Sequence, residues 1–402
     1  MRSLQTFTPR SFPVMPSKIV LPRLLRVGGG AFNETGQLLG DLRLKRPLIV
    51  TDHFLAKRGL ANRLLTESGL GDNARIFSGA VPDPTSGSVD AGLAFLREAE
   101  HDCVIGLGGG SSIDTAKAIA VLALHEGPMR RLKAPFEQNE PGLPVIGIPT
   151  TAGTGSEATR FTIVTDDASG EKMLCIGLAY LPVAAIVDYE LTLEKPMRLT
   201  ADTGVDSLTH AIEAYVSRRA NPFADGFCHA AMEAIWRCLP AAYFEPKNRD
   251  ARESMMLAAT QAGIAFSNSS VALVHGMSRP IGAQFHVPHG MSNAMLLPAV
   301  TEFSVPGNPL RYADCARIMG IAPGNSGDEA AANALVDALK QLNQQLEVPT
   351  PQAYGIQKEA WLGAIPTMVQ QAIASGSPAN NPRVPTAEEI AELYRSIYSG
   401  SE

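Results

Sequence analysis

An α/β domain built on a parallel sheet, followed by an all-helical domain, is the architecture this sequence predicts. In the first half, short β-branched runs alternate with amphipathic helical stretches, and after Leu199 the strand signals nearly vanish. The length agrees: 402 residues exceed one ordinary core and suit about two domains of roughly 150–200 residues each. The boundary is expected in residues 194–199, where Pro196 breaks the chain, giving domains 1–197 and 198–402.

The predicted strands are RPLIVTD (46–52), ARIFSGA (74–80), DCVIGLGGG (102–110), LPVIGIPT (143–150) and AAIVDYE (184–190). Their near-continuous apolar character is that of strands covered on both faces. HFLAKRGLANRLLTES (53–68) and SVDAGLAFLREAE (88–100) carry apolar residues at helical spacing, so the strands are joined by right-handed crossovers. FTIVTDDASGEKMLCIG (161–177) differs, with two strands around an Asp-Asp-Ala-Ser-Gly turn, and predicts a hairpin. In the second half, residues 199–218, 224–239, 251–267, 328–346 and 386–399 read as helices, several opening on a Thr or Asp cap.

Composition excludes several classes. Hydrophobic residues are 45% and charged ones 18%, a globular balance, and the net charge of −6 lacks a nucleic-acid footprint. No apolar run reaches the ~18 residues of a membrane helix, and the start lacks a secretory signal pattern. Five scattered cysteines without CxxC fit reduced thiols in a cytoplasmic protein.

Four segments carry chemistry. GLGGGSSIDTAK (106–117) runs a strand into Gly108-Gly109-Gly110, and Ser111 to Asp114 fits a capping box opening a helix. Glycines admit a ligand close to the backbone, and free N–H groups at a helix start favour phosphate. The run is neither GxGxxG nor a Walker loop, and a plain glycine-rich turn is the competing reading. Asp52, ending LIVTD, stands where a carboxylate accepts a ribose hydroxyl and disfavours a 2′-phosphate, hence NAD over NADP. IPTTAGTGSEATR (148–160) offers Thr150, Thr151, Thr154 and Ser156 around two glycines, for a pyrophosphate or ribose or for an ordinary polar loop.

The fourth is split. In TADTGVDSLTHAIEAY, Asp206 and His210 are four apart and project from one helix face. Farther on, VHGMSRPIGAQFHVPHGMSNAMLLP carries His275 and His289, fourteen apart and flanked by glycine and proline. One carboxylate and three imidazoles make a four-ligand set for a borderline divalent metal such as Fe²⁺ or Zn²⁺. His286 is left as a neighbour of undecided role.

GGGSSIDTAK, IPTTAGTGSE, GVDSLTHAIEAY and the long His275–His289 segment, in this order, resemble the iron-containing alcohol dehydrogenases over residues 18–398. The resemblance implies a Rossmann-like N-terminal domain related to that of dehydroquinate synthase, a helical C-terminal domain and a cleft between them. It implies Asp206, His210, His275 and His289 as metal ligands, with Fe²⁺ ahead of Zn²⁺. Asp52, Gly109, Gly110, Ser111, Asp114, Thr150, Thr151, Thr154 and Lys172 are the implied holders of NAD(H). The expected activity is reversible hydride transfer between NAD(H) and a small alcohol/aldehyde pair. Phe161 and Phe266 are candidate pocket walls.

One position departs from the family. Many members carry a second histidine, implicated in proton transfer, where this chain has Arg279. Arginine is a poor general base at neutral pH. The proton would then leave through water, ribose hydroxyls or His286, while Arg279 clamps a substrate anion or pairs with an acid and shapes the wall. The clamp keeps a runner-up alive: an NADH-dependent reductase of an acidic oxo substrate, of the hydroxy-acid dehydrogenase or maleylacetate reductase kind. Asp83 likewise stands where relatives often have asparagine. A dehydroquinate-synthase-like lyase and a non-enzymatic binding module are the outlying readings. The family further suggests a homodimer, through strand pairing of residues 6–21.

Overall fold

The computed structural model describes residues 17–399. Among the described residues, eight strands precede the first long helix of the second half. They are β1 (Leu24–Val27), β2 (Pro47–Asp52), β3 (Arg75–Ala80), β4 (Cys103–Gly108), β5 (Val145–Pro149), β6 (Phe161–Thr165), β7 (Lys172–Ile176) and β8 (Ala184–Val187). Helices α1 (Thr35–Asp41), α2 (His53–Lys57), α3 (Leu60–Glu67), α4 (Ser86–Leu96) and α5 (Gly110–Leu122) lie among them. The helical half contains α6 (Met197–Val216), α7 (Pro222–Phe244), α8 (Arg249–Ser267), α9 (Leu273–Phe285) and α10 (His289–Ser304). It ends with α11 (Pro309–Ile318), α12 (Asp328–Gln345), α13 (Lys358–Ala374) and α14 (Ala387–Ser396).

Six strands form one parallel sheet in the order β1-β8-β5-β4-β2-β3, while β6 and β7 make the expected antiparallel hairpin, Phe161 opposite Ile176 and Thr165 opposite Lys172. Alternation along each strand sorts side chains to two faces. Leu48, Val50 and Val104 pack against Val89 of α4 and Ile119 of α5. Ile49, Ile105 and Ile146 face the other way, onto Leu38 and Leu39 of α1 and Leu64 of α3. The chain runs from β2 outward to β3, then returns to the other side of β2 as β4. The strand order therefore switches between β2 and β4, where open α/β sheets take ligands at the carboxyl ends of their strands.

The helical half has its own core, with Val205, Leu208 and Ile212 of α6 against Met232 and Ile235 of α7 and Leu273 of α9. It docks onto the sheet through the loop after β5. Gly155, at φ +61, lies so close to α8 that an added Cβ would stand 2.5 Å from Gly263 Cα. Buried Thr260 of α8 donates to Glu157 Oε1 at 2.6 Å in the same contact.

One local expectation needs correction, and two further stretches form elements that the sequence pattern does not predict. The box expected at Ser111–Asp114 is absent: the N-cap of α5 is Gly109, no side chain caps the helix, and the Asp114 carboxylate turns inward. β1 was not expected as a strand, and pairs in parallel with β8 at the sheet edge. Residues 274–298 fold into α9 and α10 in spite of interior Pro280 and Pro298. Most of the segment expected to pair two subunits, residues 6–16 of its stretch 6–21, lies outside the described residues. No described helix is long and apolar enough to cross a membrane.

Candidate active site

The loops at one edge of the sheet and the helices α6, α9 and α10 supply the two sides of the site. On the sheet side, Asp52 ends β2, Gly109 to Ser111 follow β4, and Thr150 to Thr154 follow β5, all at one edge. The two loops touch: Thr150 N donates to Gly108 O at 2.9 Å, and an added Cβ on Gly110 would meet Thr154 Cγ2 at 2.8 Å. With no side-chain cap on α5, its first N–H groups are left to a ligand, and the partial positive charge of the helix start favours an anion there.

Behind this edge lies a buried polar brace. Asp114 accepts from Ser156 Oγ at 2.6 Å and from Ile163 N at 3.0 Å. Both its oxygens serve the protein, so its first role is to tie α5 to the β5 loop and the hairpin rather than to meet a cofactor. Lys117, fully buried, donates to Ser156 Oγ and Thr159 O at 3.0 Å and to Phe161 O at 2.8 Å. Burial pulls its amine down to about 8, against the pull of Asp114 and Glu157.

Asp52 caps α2, accepting from Leu55 N at 2.8 Å through Oδ1. Lys195, from the segment joining the two halves, donates to Thr150 Oγ1 at 3.2 Å and is a charge neighbour of Asp52. Lys172 projects from the hairpin and donates to Asp83 Oδ1 at 2.8 Å. Asp83 has φ 52, a left-handed conformation that both Asp and Asn tolerate, so the backbone accepts either residue.

On the helical side, α6 presents Asp206, His210 and Glu213 at steps of four and three, on one face. The helix is buried on nearly every side, with Asp206 1% and His210 4% exposed, so these polar groups are not surface residues. α9 supplies His275 and α10 supplies His289. Gly276 and Gly290 let the backbones close in: added Cβ atoms would lie 2.8 Å from Pro378 Cδ and 2.4 Å from Asp202 O. The Nε2 atoms of His210, His275 and His289 stand 3.9, 3.5 and 3.7 Å from one oxygen, Asp206 Oδ1. Donor atoms of Asp206, His210 and His275 all lie within 4.8 Å of one another. His289 joins from the open side, its side chain 38% exposed.

The electrostatics fit a cation. Burial pushes His210 down to about 3 and His289 down to about 4, although Asp206 pulls both upward, so their rings are neutral and offer lone pairs. Burial would raise Asp206, yet His210, His289 and His275 outweigh it and hold the carboxylate below its usual range. His275 is buried too, but Asp206 and Glu213 hold it above the ordinary imidazole value. Its Nδ1–H donates to Glu213 Oε2 at 2.6 Å, which turns the Nε2 lone pair toward Asp206. Asn293 donates to Asp206 Oδ1 at 2.6 Å, while its own Oδ1 is buried without a partner. Imidazole nitrogens gathered around an ionised carboxylate form a donor set that a divalent cation satisfies.

An aromatic stack closes one wall. His210 stacks between His275 at 4.4 Å and Phe266 at 4.3 Å, and Phe266 stacks on Phe161 of the hairpin at 5.9 Å. Phe161 and Phe266 thus join the two halves, with Phe266 in the helical core and Phe161 packed against it. Arg279, one turn beyond His275 on α9, does not join the donor atoms, and its Nη1 donates to Ser377 Oγ at 3.3 Å. His286 sits at the exposed C-cap of α9 with φ 55, away from the donor cluster.

Glu213, Asn293 and Lys195 went unread in the sequence. Glu213 had a legible signal, since its step of seven from Asp206 keeps it on the ligand face. Asn293, four residues after His289, had the same signal, while Lys195 had none.

Comparison with known families and proteins agrees along most of the described chain. Residues 22–189 match the family model "Iron-containing alcohol dehydrogenase", and residues 200–398 match "Fe-containing alcohol dehydrogenase family, C-terminal". The NAD-dependent methanol dehydrogenase of Bacillus methanolicus is 36% identical over 380 residues, covering 94% of this chain and 98% of its own. The lactaldehyde reductase of Escherichia coli K12 is 34% identical over 388 residues, covering 96% and 100%. The crystal structure of a 1,3-propanediol oxidoreductase superposes with a TM-score of 0.90 at 34% identity, covering 95% of this chain and 99% of that one.

Proposed function

Because the chain belongs to the iron-containing alcohol dehydrogenase family, we propose that it transfers hydride reversibly between NAD(H) and a small alcohol/aldehyde pair in the cleft between its two halves. The observation that carries this reading is the convergence of three imidazole Nε2 atoms on Asp206 Oδ1, across from an uncapped glycine turn. The relatives' activities on methanol and lactaldehyde favour an alcohol/aldehyde pair over the reduction of an acidic oxo substrate.

In this reading Asp206, His210, His275 and His289 hold the cation, and we assign Fe²⁺, which three nitrogens and one carboxylate suit as they do Zn²⁺. Such an ion, when bound, supplies Lewis acidity that polarises a carbonyl and lowers an alcohol's pKa. Glu213 fixes the tautomer and direction of His275. Gly109, Gly110 and Ser111 take the pyrophosphate on free N–H groups, Thr150, Thr151 and Thr154 line its other side, and Asp52 accepts from a ribose hydroxyl. Lys172 stands on the nicotinamide side, and Asp114 acts from behind by bracing the loop. Positioning of this kind contributes about 7–11 kcal/mol at its upper limit.

Oxidation of the alcohol releases one proton as the hydride leaves. Arg279 cannot take it. We assign its exit to water entering on the half-exposed His289 side, with no part for His286.

The two halves would act as domains 1–197 and 198–402, cofactor on one side and metal on the other. A homodimer and a cytoplasmic setting, where the five free thiols stay reduced, complete the proposal. The test is metal analysis of the purified protein together with an NADH-oxidation screen over aldehydes. Stoichiometric iron with aldehyde-dependent turnover supports the reading. Full turnover in metal-free protein would sink it, and light scattering decides the dimer.

A further inference from the structure

Lys117 of α5 is fully buried, and the acceptors of its ammonium group all come from one short stretch of chain. They are Ser156 Oγ and Thr159 O at 3.0 Å, Thr159 Oγ1 at 3.2 Å and Phe161 O at 2.8 Å. Ser156 Oγ itself donates to Asp114 Oδ1 at 2.6 Å, so α5 grips this stretch through two side chains one turn apart. Taking an ammonium out of water is costly, and an apolar side chain would fill the same space more cheaply.

The gripped stretch meets the metal-bearing half at three points. Before it, Gly153 O accepts from Ser207 Oγ at 2.9 Å, beside the proposed ligand Asp206, and an added Cβ on Gly153 would stand 2.6 Å from Thr203 Cβ. In its middle, Glu157 accepts from Thr260 of α8 at 2.6 Å. At its end, the Phe161 ring stacks on Phe266, which stacks on His210. The other end of the grip is α5, which starts at the glycine turn assigned to the cofactor phosphates. Lys117 thus fastens the cofactor helix to the segment that meets the metal ligands, while its own bonds go to neither the glycine turn nor a ligand. We propose that Lys117 is a positioning residue for hydride transfer, setting the distance between nicotinamide and metal without holding either. The proposal rests on the alcohol dehydrogenase reading above and deepens it. A displacement of about 1 Å between reacting partners slows such a step by roughly 100-fold.

The test is steady-state kinetics of the iron-loaded wild type, Lys117→Met and Ser156→Ala with the aldehyde that the wild type reduces fastest. NADH carries either hydrogen or deuterium at the transferred position, and iron per chain and Tm are measured alongside. Methionine keeps the length of lysine but donates nothing, so Thr159 O and Phe161 O lose their donor. For Lys117→Met the expected kcat is lower by roughly 10–100-fold, with a full primary isotope effect showing that the hydride step has slowed. The KM for NADH and the iron content should stay within about twofold of wild type, because other contacts hold the glycine turn and the ligands. Should Lys117→Met fail to fold, Ser156→Ala decides alone, since it removes the shared hydroxyl and leaves both buried charges in place. A drop in kcat of about three- to tenfold with the same pattern supports the proposal. A lowered Tm with kcat within about twofold of wild type would show a purely structural role and overturn it. A fall in kcat that merely follows lost iron or a raised KM for NADH overturns it as well. No turnover of any aldehyde by the iron-loaded wild type overturns the alcohol dehydrogenase reading itself.

Discussion

Glu213 Oε2 accepts from His275 Nδ1 at 2.6 Å, and this bond decides which way the imidazole faces. The same carboxylate accepts from Ala272 N and Val274 N, at 2.9 and 2.6 Å, and so also caps the start of α9, the helix that carries His275. One side chain thus sets both the position of the helix and the tautomer of its ligand.

Replacing Glu213 by Gln keeps the shape but removes the charge and offers an N–H₂ where an acceptor is needed. Metal affinity should fall by roughly 10–100-fold, the usual effect of losing a carboxylate behind a ligating histidine. Competition with a chromogenic chelator measures it. Unchanged affinity would mean that His275 orients itself without help. Glu213→Ala should do worse, because two buried backbone donors lose their acceptor at about 1–3 kcal/mol each.

Removal of a ligand should separate the two halves of the site. His275→Ala is expected to lose metal and alcohol oxidation together, while NADH fluorescence on binding persists, since every proposed cofactor contact except Lys172 comes from the loops after β2, β4 and β5. Exhaustive chelation of the wild type should reproduce this pattern, and iron should reverse it. Loss of NADH binding along with the metal would show that the cofactor loops depend on the ion.

Much of this was legible beforehand because its signals are local. Alternating β-branched runs gave the sheet, and the step of four between Asp206 and His210 gave half of the ligand set. What escaped depends on distant partners. α9 and α10 carry Gly276, Pro280, Gly290 and Pro298, which weaken any helical pattern, and they fold because their apolar faces are buried among α6, α12 and α13. The capping box at Ser111 had the right spacing, yet Asp114 found Ser156 and Ile163 some forty residues later, an interaction no local pattern contains. Lys195 reaches Thr150 across a sequence separation of 45 residues, which no local pattern contains either.

The contact between the halves should reverse the usual sign of a helix substitution. Alanine ordinarily stabilises a helix interior by about 1 kcal/mol relative to glycine. At Gly263 the added methyl would stand 2.8 Å from Gly155 Cα and O, both backbone atoms with little room to move. Overpacking of this kind costs about 1–3 kcal/mol, so Gly263→Ala should lower the Tm. Gly226→Ala, in α7 with nothing within 4 Å of the new Cβ, should leave it unchanged or raise it. Calorimetry of the two variants decides whether the approach of α8 to the β5 loop is as tight as the geometry requires.

Asp52 combines two roles that substitution can separate. As the cap of α2 it is worth about 1 kcal/mol over alanine, while its charge, beside the proposed ribose site, opposes a 2′-phosphate. Serine can accept from Leu55 N as aspartate does but carries no charge. Asp52→Ser should therefore keep the stability within about 0.5 kcal/mol of wild type and shift the ratio of NADPH to NADH turnover upward by roughly tenfold or more. Lys195 and the nearby Arg58 help that shift, because they would then face the phosphate without the carboxylate between their charges. Asp52→Ala should show the same cofactor shift together with a lower Tm. An unchanged cofactor ratio in both variants would remove Asp52 from the ribose site and leave it as a helix cap alone.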